Sequence, residues 1–281
     1  MIAIITGASS GIGREFAYQV DNLNYDEIWL IARRYERLAE VKSNLKSKTK
    51  ILALDLLDEE SFFEIANKLE FTKYKVGLLV NAAGVGFNDY FENLSLEANK
   101  KTIDLNILAA SQMIKVILPH MAKNSLIINV ASVAGFIPQP RFATYAASKA
   151  YLISLSRALN RELRDKKIHV ATLCPNPVNT EFGANNTSGI KKYATEDINK
   201  LVAKSLKQAM YKDIITVHPS AKFMLVISKI IPHSFIMWFE RILGLYWYNI
   251  KKRAFWLLFF CYIWLYYGKV PIKFVAGYLI C

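Results

Sequence analysis

The sequence predicts an α/β fold, with a doubly wound parallel sheet flanked by helices. Two observations support it: short apolar segments alternate with longer segments of helical spacing, and the short segments are apolar at every position. Continuous apolarity indicates strands covered on both faces, as in a sheet between two helical layers. Of the 281 residues, 53% are hydrophobic and 21% are charged, which is typical of a globular chain and not of a disordered one.

The elements follow one another in strict alternation. The predicted strands are Ile2–Thr6, Glu27–Ala32, Lys50–Leu54, Val76–Val80, Leu126–Val130, Ile168–Leu173 and a short one near Ile214–Val217. Helices are predicted from about Gly11 and over Arg34–Ser47, Glu59–Glu70, Leu96–Met121, Ala143–Asp165 and Thr195–Met210. In the third of these helices Phe62, Ile65 and Leu69 form one apolar stripe, which is the helical signature.

The charge and aromatic content divide the chain into a body and a tail. The net charge is +13. Residues 214–281 contain eight Lys or Arg against one acid, Glu240, and hold 17 of the 36 aromatic residues. We therefore expect a body over residues 1–220 and a hydrophobic, aromatic and basic helical extension over residues 221–281.

Composition also excludes several classes of protein. The three cysteines are far apart and form no Cys-x-x-Cys pair, which excludes a disulfide scaffold and favours a reducing compartment. The four histidines show no ligand spacing, so no metal site is predicted. No nucleic-acid motif accompanies the positive charge, so no nucleic-acid partner is predicted. Met1 enters the first strand without a basic lead-in, so we expect a cytoplasmic protein without a secretory signal.

A glycine-rich segment joins the first strand to the first helix. It reads Thr6-Gly7-Ala8-Ser9-Ser10-Gly11-Ile12-Gly13. Glycines allow the backbone to approach a pyrophosphate closely, and the free amides of a helix start attract its charge. A tight turn without a ligand is the alternative, but the strand–turn–helix context favours a phosphate site.

The end of the second strand indicates which dinucleotide is bound. An acid there would bind a free ribose 2′-hydroxyl, whereas arginine accommodates a 2′-phosphate. The strand ends in Arg33 and Arg34, and Arg14 follows the last glycine of the first turn. Because guanidinium suits bidentate phosphate binding, NADP(H) is predicted in preference to NAD(H).

Four further residues suit chemistry at a carbonyl group. Asn106 lies in a long helix, Ser132 follows the fifth strand, and Tyr145 and Lys149 lie four apart on the next helix. Such a spacing puts Tyr145 and Lys149 on one helix face. We expect the ammonium to lower the pKa of Tyr145 from about 10, and the Ser132 hydroxyl to hold a carbonyl oxygen beside it.

In order and spacing these motifs, together with Asn81-Ala82-Ala83-Gly84, resemble the classical short-chain dehydrogenase/reductase family over residues 2 to about 220. The resemblance implies a Rossmann-like, NADP-binding catalytic domain in which Tyr145 is the general acid in reduction. Lys149 would bind the nicotinamide ribose, Ser132 would orient the substrate oxygen, and Asn106 would hold a water in a proton relay. The implied cofactor-binding residues are Gly7, Ser9, Ser10, Gly11, Ile12, Gly13, Arg14, Arg33, Arg34, Asp55, Leu56, Asn81, Ala82, Ala83, Gly84, Tyr145, Lys149, Pro175, Val178 and Thr180.

One position departs from the family pattern. Asn176 stands in the loop after the sixth strand, where the family commonly has glycine. Asparagine tolerates a positive φ better than most residues, so the turn can be kept.

The predicted function is therefore reduction of a carbonyl, or oxidation of the corresponding secondary alcohol, with NADP(H). A catalytically silent NADP-binding sensor or scaffold of the same fold is the alternative, and the intact Ser132, Tyr145 and Lys149 count against it. The hydrophobic extension suggests a hydrophobic substrate such as a lipid, a steroid or a 3-oxoacyl chain.

The tail also suggests a membrane surface. Ala254–Tyr267 is uncharged but short of the ~20 residues that a spanning helix needs. Its Trp and Tyr between basic flanks favour peripheral contact with the cytoplasmic membrane face through residues 221–281. A buried helix, a face of a homo-oligomer and a spanning segment stay open as alternatives.

Overall fold

The computed structural model describes residues 1–181 and 196–242. Within these ranges the strands are β1 (Ile2–Thr6), β2 (Glu27–Ala32), β3 (Thr49–Ala53), β4 (Val76–Asn81), β5 (Met121–Val130), β6 (Ile168–Leu173) and β7 (Ile214–Ile215). They form one parallel sheet in the order β3-β2-β1-β4-β5-β6-β7. The chain thus winds outward from β1 to one edge, returns, and winds to the other edge. This confirms the predicted doubly wound, Rossmann-like sheet.

The described helices are α1 (Gly11–Val20), α2 (Tyr35–Ser43), α3 (Glu59–Glu70), α4 (Leu96–Ile103), α5 (Ala110–Ile117), α6 (Ala143–Glu162), α7 (Ile198–Gln208), α8 (Pro219–Ile230) and α9 (His233–Ile242). A π-helical turn, Asp104–Ala109, separates α4 from α5, so the long helix predicted there is interrupted. Strand β5 also begins five residues before its predicted start at Leu126. Its first part carries Lys123 and Asn124, polar residues that conceal a strand in the sequence.

The core lies on both faces of the sheet. Successive residues of a strand point to opposite faces, so Ala3 and Ile5 pack in the cluster that contains Phe16 of α1. Ile2 and Ile4 pack on the opposite face, in the cluster that contains residues of α3 and α5. These two layers bury the strands and leave their carboxyl ends at one edge of the sheet, where open α/β sheets bind ligands.

One described helical stretch, Leu96–His120, is long and apolar enough to cross a membrane by length and composition alone. Met113, Ile114 and Ile117 of this stretch are buried in the core with strand residues such as Ile127. One face of this stretch therefore packs in the core of the domain.

The chain divides into two compact units, Met1–Ile231 and Pro232–Cys281. Helix α8 belongs to the first unit, although most of it lies in the extension that the sequence predicts over residues 221–281. Its Ala221 is fully buried, and its Met224 and Leu225 pack in the same apolar cluster as Phe136. In the second unit the structure describes α9, where the rings of Phe235 and Trp238 lie 5.5 Å apart. The segment 254–267 lies outside the described residues.

Candidate active site

The glycine-rich turn after β1, which we call the glycine cradle, packs so closely against its neighbours that it needs glycine at several positions. Gly7 and Gly11 have φ angles of +66° and +53°, which favour glycine. A methyl group on Gly7 would lie 2.8 Å from the Ala83 nitrogen. On Gly13 it would lie 2.7 Å from the Gly7 carbonyl carbon. Both contacts are with backbone atoms, so glycine at these positions lets the turn pack directly against residues 82–83 and against its own start.

The predicted cradle residues Ser9, Ser10, Ile12 and Arg14 complete this turn and the start of α1. Ser10 is the N-cap residue of α1, and the Arg14 N–H donates to the Ser10 carbonyl at 3.2 Å. Ile12 packs against the core, which anchors the helix start.

The ends of β1 and β4 are tied together at the cradle. The Thr6 hydroxyl accepts hydrogen bonds from the backbone N–H groups of Ala82 and Ala83, both at 3.1 Å. Gly84 comes next, and a methyl group there would lie 3.1 Å from Asn106 Oδ1 and 3.4 Å from Lys149 Nζ. Residues 82–84 therefore lie between the glycine cradle and the predicted catalytic residues.

Buried polar side chains connect β4, β5 and α6 beneath this edge. Asn81 Nδ2 donates to Asn129 Oδ1 at 2.9 Å and to the Ala110 carbonyl at 3.4 Å. Asn129 Nδ2 donates to Ser156 Oγ at 2.8 Å, and Ser156 donates to the Leu152 carbonyl at 2.6 Å. We call Asn81, Asn129 and Ser156 the polar tie. It fastens the two strands that end at the cleft to the helix that carries Tyr145 and Lys149.

Ser132, Tyr145 and Lys149 meet at the carboxyl end of β5. Ser132 caps a short 3₁₀ turn, with its Oγ accepting from the Ala134 N–H at 3.2 Å, and it is hydrogen-bonded to the Tyr145 side chain. Lys149 Nζ donates to the Val130 carbonyl at 2.9 Å and lies 5.4 Å from the centre of the Tyr145 ring. Tyr145 and Lys149 are both buried.

Asn106 lies on the π-helical turn and is fully buried. Its side chain makes two bonds with the Val85 backbone, at 2.9 Å and 2.8 Å, and donates to Ser148 Oγ at 3.0 Å. Ser148 in turn donates to the Tyr145 carbonyl at 2.7 Å. Asn106 is therefore linked to the catalytic helix through Ser148, a residue that the sequence did not single out. Such π turns are frequent at functional sites.

The arginines after β2 lie beside the cradle and are already paired with carboxylates. Arg33 Nη1 lies 3.6 Å from Asp55 Oδ2. Arg34 Nη2 donates to Ser9 Oγ at 3.2 Å, and its Nη1 donates to Glu181 Oε2 at 2.9 Å. Asp55 and the buried Leu56 follow β3, so the predicted adenine-side residues lie on adjacent strand ends.

The loop after β6 reaches the cradle. Its Pro175 carbonyl accepts from the Val133 N–H at 3.1 Å, and Val178 forms a parallel bridge with Glu196. A methyl group on Gly11 would lie 3.2 Å from Thr180 Cγ2, so Thr180 lies against the glycine turn.

Asn176, in the same loop, does not use the conformation of a glycine. The described non-glycine residues with positive φ are Asn24, Asn124, Arg141 and Lys167. Asn176 is instead held by its side chain, whose Nδ2 donates to Ser220 Oγ at 2.6 Å and so attaches the loop to the start of α8.

These residues fit a nicotinamide dinucleotide. The cap residue of α1, Ser10, makes no side-chain hydrogen bond to the helix start, so the N–H groups there can bind a phosphate. The guanidinium groups of Arg33 and Arg34 also suit phosphate, and Lys149 lies close to Gly84. A protein-family model described as short chain dehydrogenase matches residues 1–191. The chain belongs to the classical short-chain dehydrogenase/reductase family. It is therefore an oxidoreductase by family.

Relatives and a solved structure agree with this membership. The chain is 32% identical to an uncharacterized oxidoreductase of Staphylococcus saprophyticus, over 78% of this chain and 97% of that protein. It is 36% identical to a very-long-chain 3-oxoacyl-CoA reductase of Mycosarcoma maydis, over 68% of this chain and 55% of that protein. It is 33% identical to the 17-beta-hydroxysteroid dehydrogenase type 3 of Rattus norvegicus, over 70% of this chain and 67% of that protein. The chain thus spans only about half of the fungal reductase.

For the fold, a short-chain dehydrogenase from Sphingobium yanoikuyae in complex with NADPH superimposes with a TM-score of 0.70 at 23% identity. The superposition covers 90% of this chain and 97% of that one.

Burial determines the electrostatics of this short-chain dehydrogenase site. It raises the pKa of Tyr145 to about 12, although the hydrogen bond with Ser132 opposes the shift. It lowers the pKa of Lys149 to about 8. The lowered tyrosine pKa expected from the sequence is therefore wrong for this structure, because the cost of burying a phenolate outweighs the favourable contacts. Near neutral pH the phenol keeps its proton and the lysine is mostly charged.

The structure adds Cys174 to the surroundings of the catalytic residues. Its thiol is fully buried and interacts with Lys149 and with the Ser132 backbone. Burial raises the pKa of the thiol well above its usual value, so the thiol stays protonated and is a poor nucleophile.

The polar tie gives a first testable prediction. Replacing Asn129 with Ala removes its buried hydrogen bonds with Asn81 and Ser156, while those from Asn81 to the Ala110 carbonyl and from Ser156 to the Leu152 carbonyl remain. Each lost hydrogen bond costs about 0.5–1.5 kcal/mol, so we expect the free energy of unfolding to fall by about 1–3 kcal/mol in urea denaturation. The control is Asn67→Ala on α3, an exposed position, where a change within about 0.5 kcal/mol is expected. An equal effect of the two substitutions would contradict the role of the tie.

Proposed function

We propose that this short-chain dehydrogenase uses NADP(H) to reduce a carbonyl group in a hydrophobic substrate, or to oxidise the corresponding secondary alcohol. The observation that carries the proposal is the contact of Ser132, Tyr145 and Lys149 beside the glycine cradle. A structural role alone would not require a tyrosine and a lysine to be buried together, since burial is costly for both of their charged forms.

The chemistry follows from the protonation states. A bound nicotinamide cofactor supplies the hydride. The Ser132 hydroxyl orients the carbonyl oxygen, and the Tyr145 phenol donates a proton to it as the alcohol forms. Tyr145 then carries negative charge, which the ammonium of Lys149 stabilises. Asn106 and Ser148 hold the helix that presents both groups, and in the reverse direction the Tyr145 phenolate accepts the proton.

The preference for NADP(H) is part of the proposal. No acid ends β2, and Arg33 and Arg34 present guanidinium groups at the adenine side of the cradle. The Arg33→Ala substitution is expected to weaken the binding of NADPH much more than the binding of NADH.

A hydrophobic substrate is proposed on two grounds. The relatives include proteins named for very-long-chain 3-oxoacyl-CoA and for a hydroxysteroid. In this chain the ring of Phe142 stacks on that of Tyr145, with centroids 4.2 Å apart, and puts an apolar surface directly beside the proton donor. Long acyl thioesters and ketosteroids are therefore the substrate classes to test first.

A carbonyl panel tests the proposal. NADPH or NADH consumption is followed at 340 nm with small aldehydes, ketosteroids and 3-oxoacyl thioesters of increasing chain length. We expect NADPH-dependent turnover of the hydrophobic carbonyls, and a loss of at least ~100-fold in Tyr145→Phe with NADPH binding kept, since proton transfer is removed. Tyr151→Phe is the control, because that hydroxyl lies on the same helix but contacts Ser111 at 3.1 Å. Near-normal turnover by Tyr145→Phe would contradict the proposal, and NADPH binding without turnover would favour a sensor.

The pKa of Lys149 gives a pH prediction. The group is charged below its pKa of about 8 and neutral above it. Stabilisation of the developing Tyr145 phenolate is therefore present at pH 6.5–7.5 and lost as the pH rises past about 8. We expect carbonyl reduction to fall over that range, and Lys149→Met to be slow at every pH without this transition. A Lys149→Met profile with the wild-type alkaline limb would assign the transition to another group.

We further propose that residues 221–281 bring the enzyme to an anionic membrane surface on the cytoplasmic side. Basic residues near such a surface contribute about 1 kcal/mol each. Changing Lys251, Lys252 and Arg253 to Glu in the full chain is therefore expected to weaken binding to phosphatidylserine-containing vesicles at least tenfold in a sedimentation assay. The control changes three exposed lysines of the body, Lys42, Lys46 and Lys207, to Glu. Equal losses, or no vesicle binding by the wild type, would contradict membrane contact through the tail.

A further inference from the structure

Two arginines at the start of α2 hold one carboxylate. Arg34 Nη1 donates to Glu181 Oε2 at 2.9 Å, and Arg37 Nη1 donates to Glu181 Oε1. Each oxygen of the carboxylate therefore binds its own guanidinium. We call Arg34 and Arg37 the arginine fork. Arg37 was not singled out in the sequence, and Glu181 lies 147 residues from Arg34 along the chain.

The fork lies at the cofactor cradle. The same Arg34 guanidinium donates to Ser9 Oγ at 3.2 Å, within the glycine-rich turn. Thr180, which precedes Glu181, lies against Gly11 of that turn. Residues 180–181 therefore connect the loop after β6 to both turns that would bind the phosphates of a dinucleotide.

Carboxylate and phosphate are alternative ligands of such a fork. Both are anions with oxygens spaced for guanidinium groups, and a phosphate monoester carries the larger negative charge. The hydrogen bond from Arg34, together with the charges of both arginines, lowers the pKa of Glu181, so the carboxylate is ionised near neutral pH. The side chains are 43–46% exposed. Exposed ion pairs are weak, typically below about 1 kcal/mol, so an incoming dianion can displace this carboxylate.

We propose that Glu181 is a built-in competitor of the cofactor 2′-phosphate for the arginine fork. The inference rests on the proposed preference for NADP(H). NADPH must displace the Glu181 carboxylate from Arg34 and Arg37, whereas NADH, which has no 2′-phosphate, need not. Glu181 thus reduces the discrimination between the two cofactors that the arginines would otherwise give, and Arg37 is a second residue that determines it.

Binding measurements test the competition without turnover. Dissociation constants of wild type and Glu181→Gln are measured for NADPH and NADH by nucleotide fluorescence, and for adenosine 2′,5′-bisphosphate by calorimetry. We expect Glu181→Gln to bind NADPH and the bisphosphate about two- to fivefold more tightly, the scale of an exposed ion pair, with NADH unchanged. Glu181→Ala should behave in the same way. The control is Glu40→Gln, which removes the same charge from an exposed position on α2. It should leave the affinities for NADPH and NADH unchanged.

The arginine variants separate the two levels of the proposal. In an Arg34→Ala, Arg37→Met background, Glu181→Gln should lose its effect on NADPH affinity, because neither guanidinium is left to compete for. Unchanged NADPH affinity in Glu181→Gln, or an equal gain with NADH or in Glu40→Gln, would overturn the competition. If Arg34→Ala then still weakens NADPH binding more than NADH binding, the proposed preference for NADP(H) holds although the competition by Glu181 does not. Equal wild-type affinities for NADPH and NADH that Arg34→Ala leaves equal would overturn both.

Discussion

The site depends on the polar tie of Asn81, Asn129 and Ser156. Strands β4 and β5 and helix α6 carry the catalytic residues to one edge of the sheet, and apolar packing alone would tolerate small shifts between these elements. Hydrogen bonds of 2.8–2.9 Å between buried side chains do not tolerate such shifts, because a displaced partner leaves an unsatisfied polar group. The tie therefore holds the ends of β4 and β5 and helix α6 in one arrangement, with Ser132 and Tyr145 in hydrogen-bond contact.

Burial then acts in opposite directions on the two titratable groups. It keeps the proton on Tyr145 and weakens the hold of Lys149 on its own proton. The first effect suits reduction near neutral pH, where an acid must give up a proton. The second leaves Lys149 mostly charged at that pH, so its ammonium can still stabilise the charge left on Tyr145. Oxidation of an alcohol needs the Tyr145 phenolate, which the ammonium of Lys149 stabilises. The same two residues thus serve the chemistry in both directions.

The parts of this site that could be predicted are local in sequence. The glycine turn and the Tyr145–Lys149 pair each lie within a few residues, and their residue types suffice to suggest their chemistry. The partners in contacts between distant residues could not be predicted: Asn129, the partner of Asn81, lies 48 residues further along the chain, and Glu181 meets Arg34 only because the loop after β6 folds back to the cradle. The direction of the Tyr145 pKa shift also depends on packing, since desolvation is a property of the assembled core.

The most direct measurement of the central claim is isotope transfer. Wild-type protein is incubated with NADPH deuterated at either face of nicotinamide C4 and with the hydrophobic carbonyls, and the alcohol products are analysed by mass spectrometry. A carbonyl reductase places one deuterium on the former carbonyl carbon, from one face of the cofactor only, and Tyr145→Phe nearly abolishes the product. Tight NADPH binding without deuterium in any product would contradict the account and favour a nucleotide-binding protein without turnover.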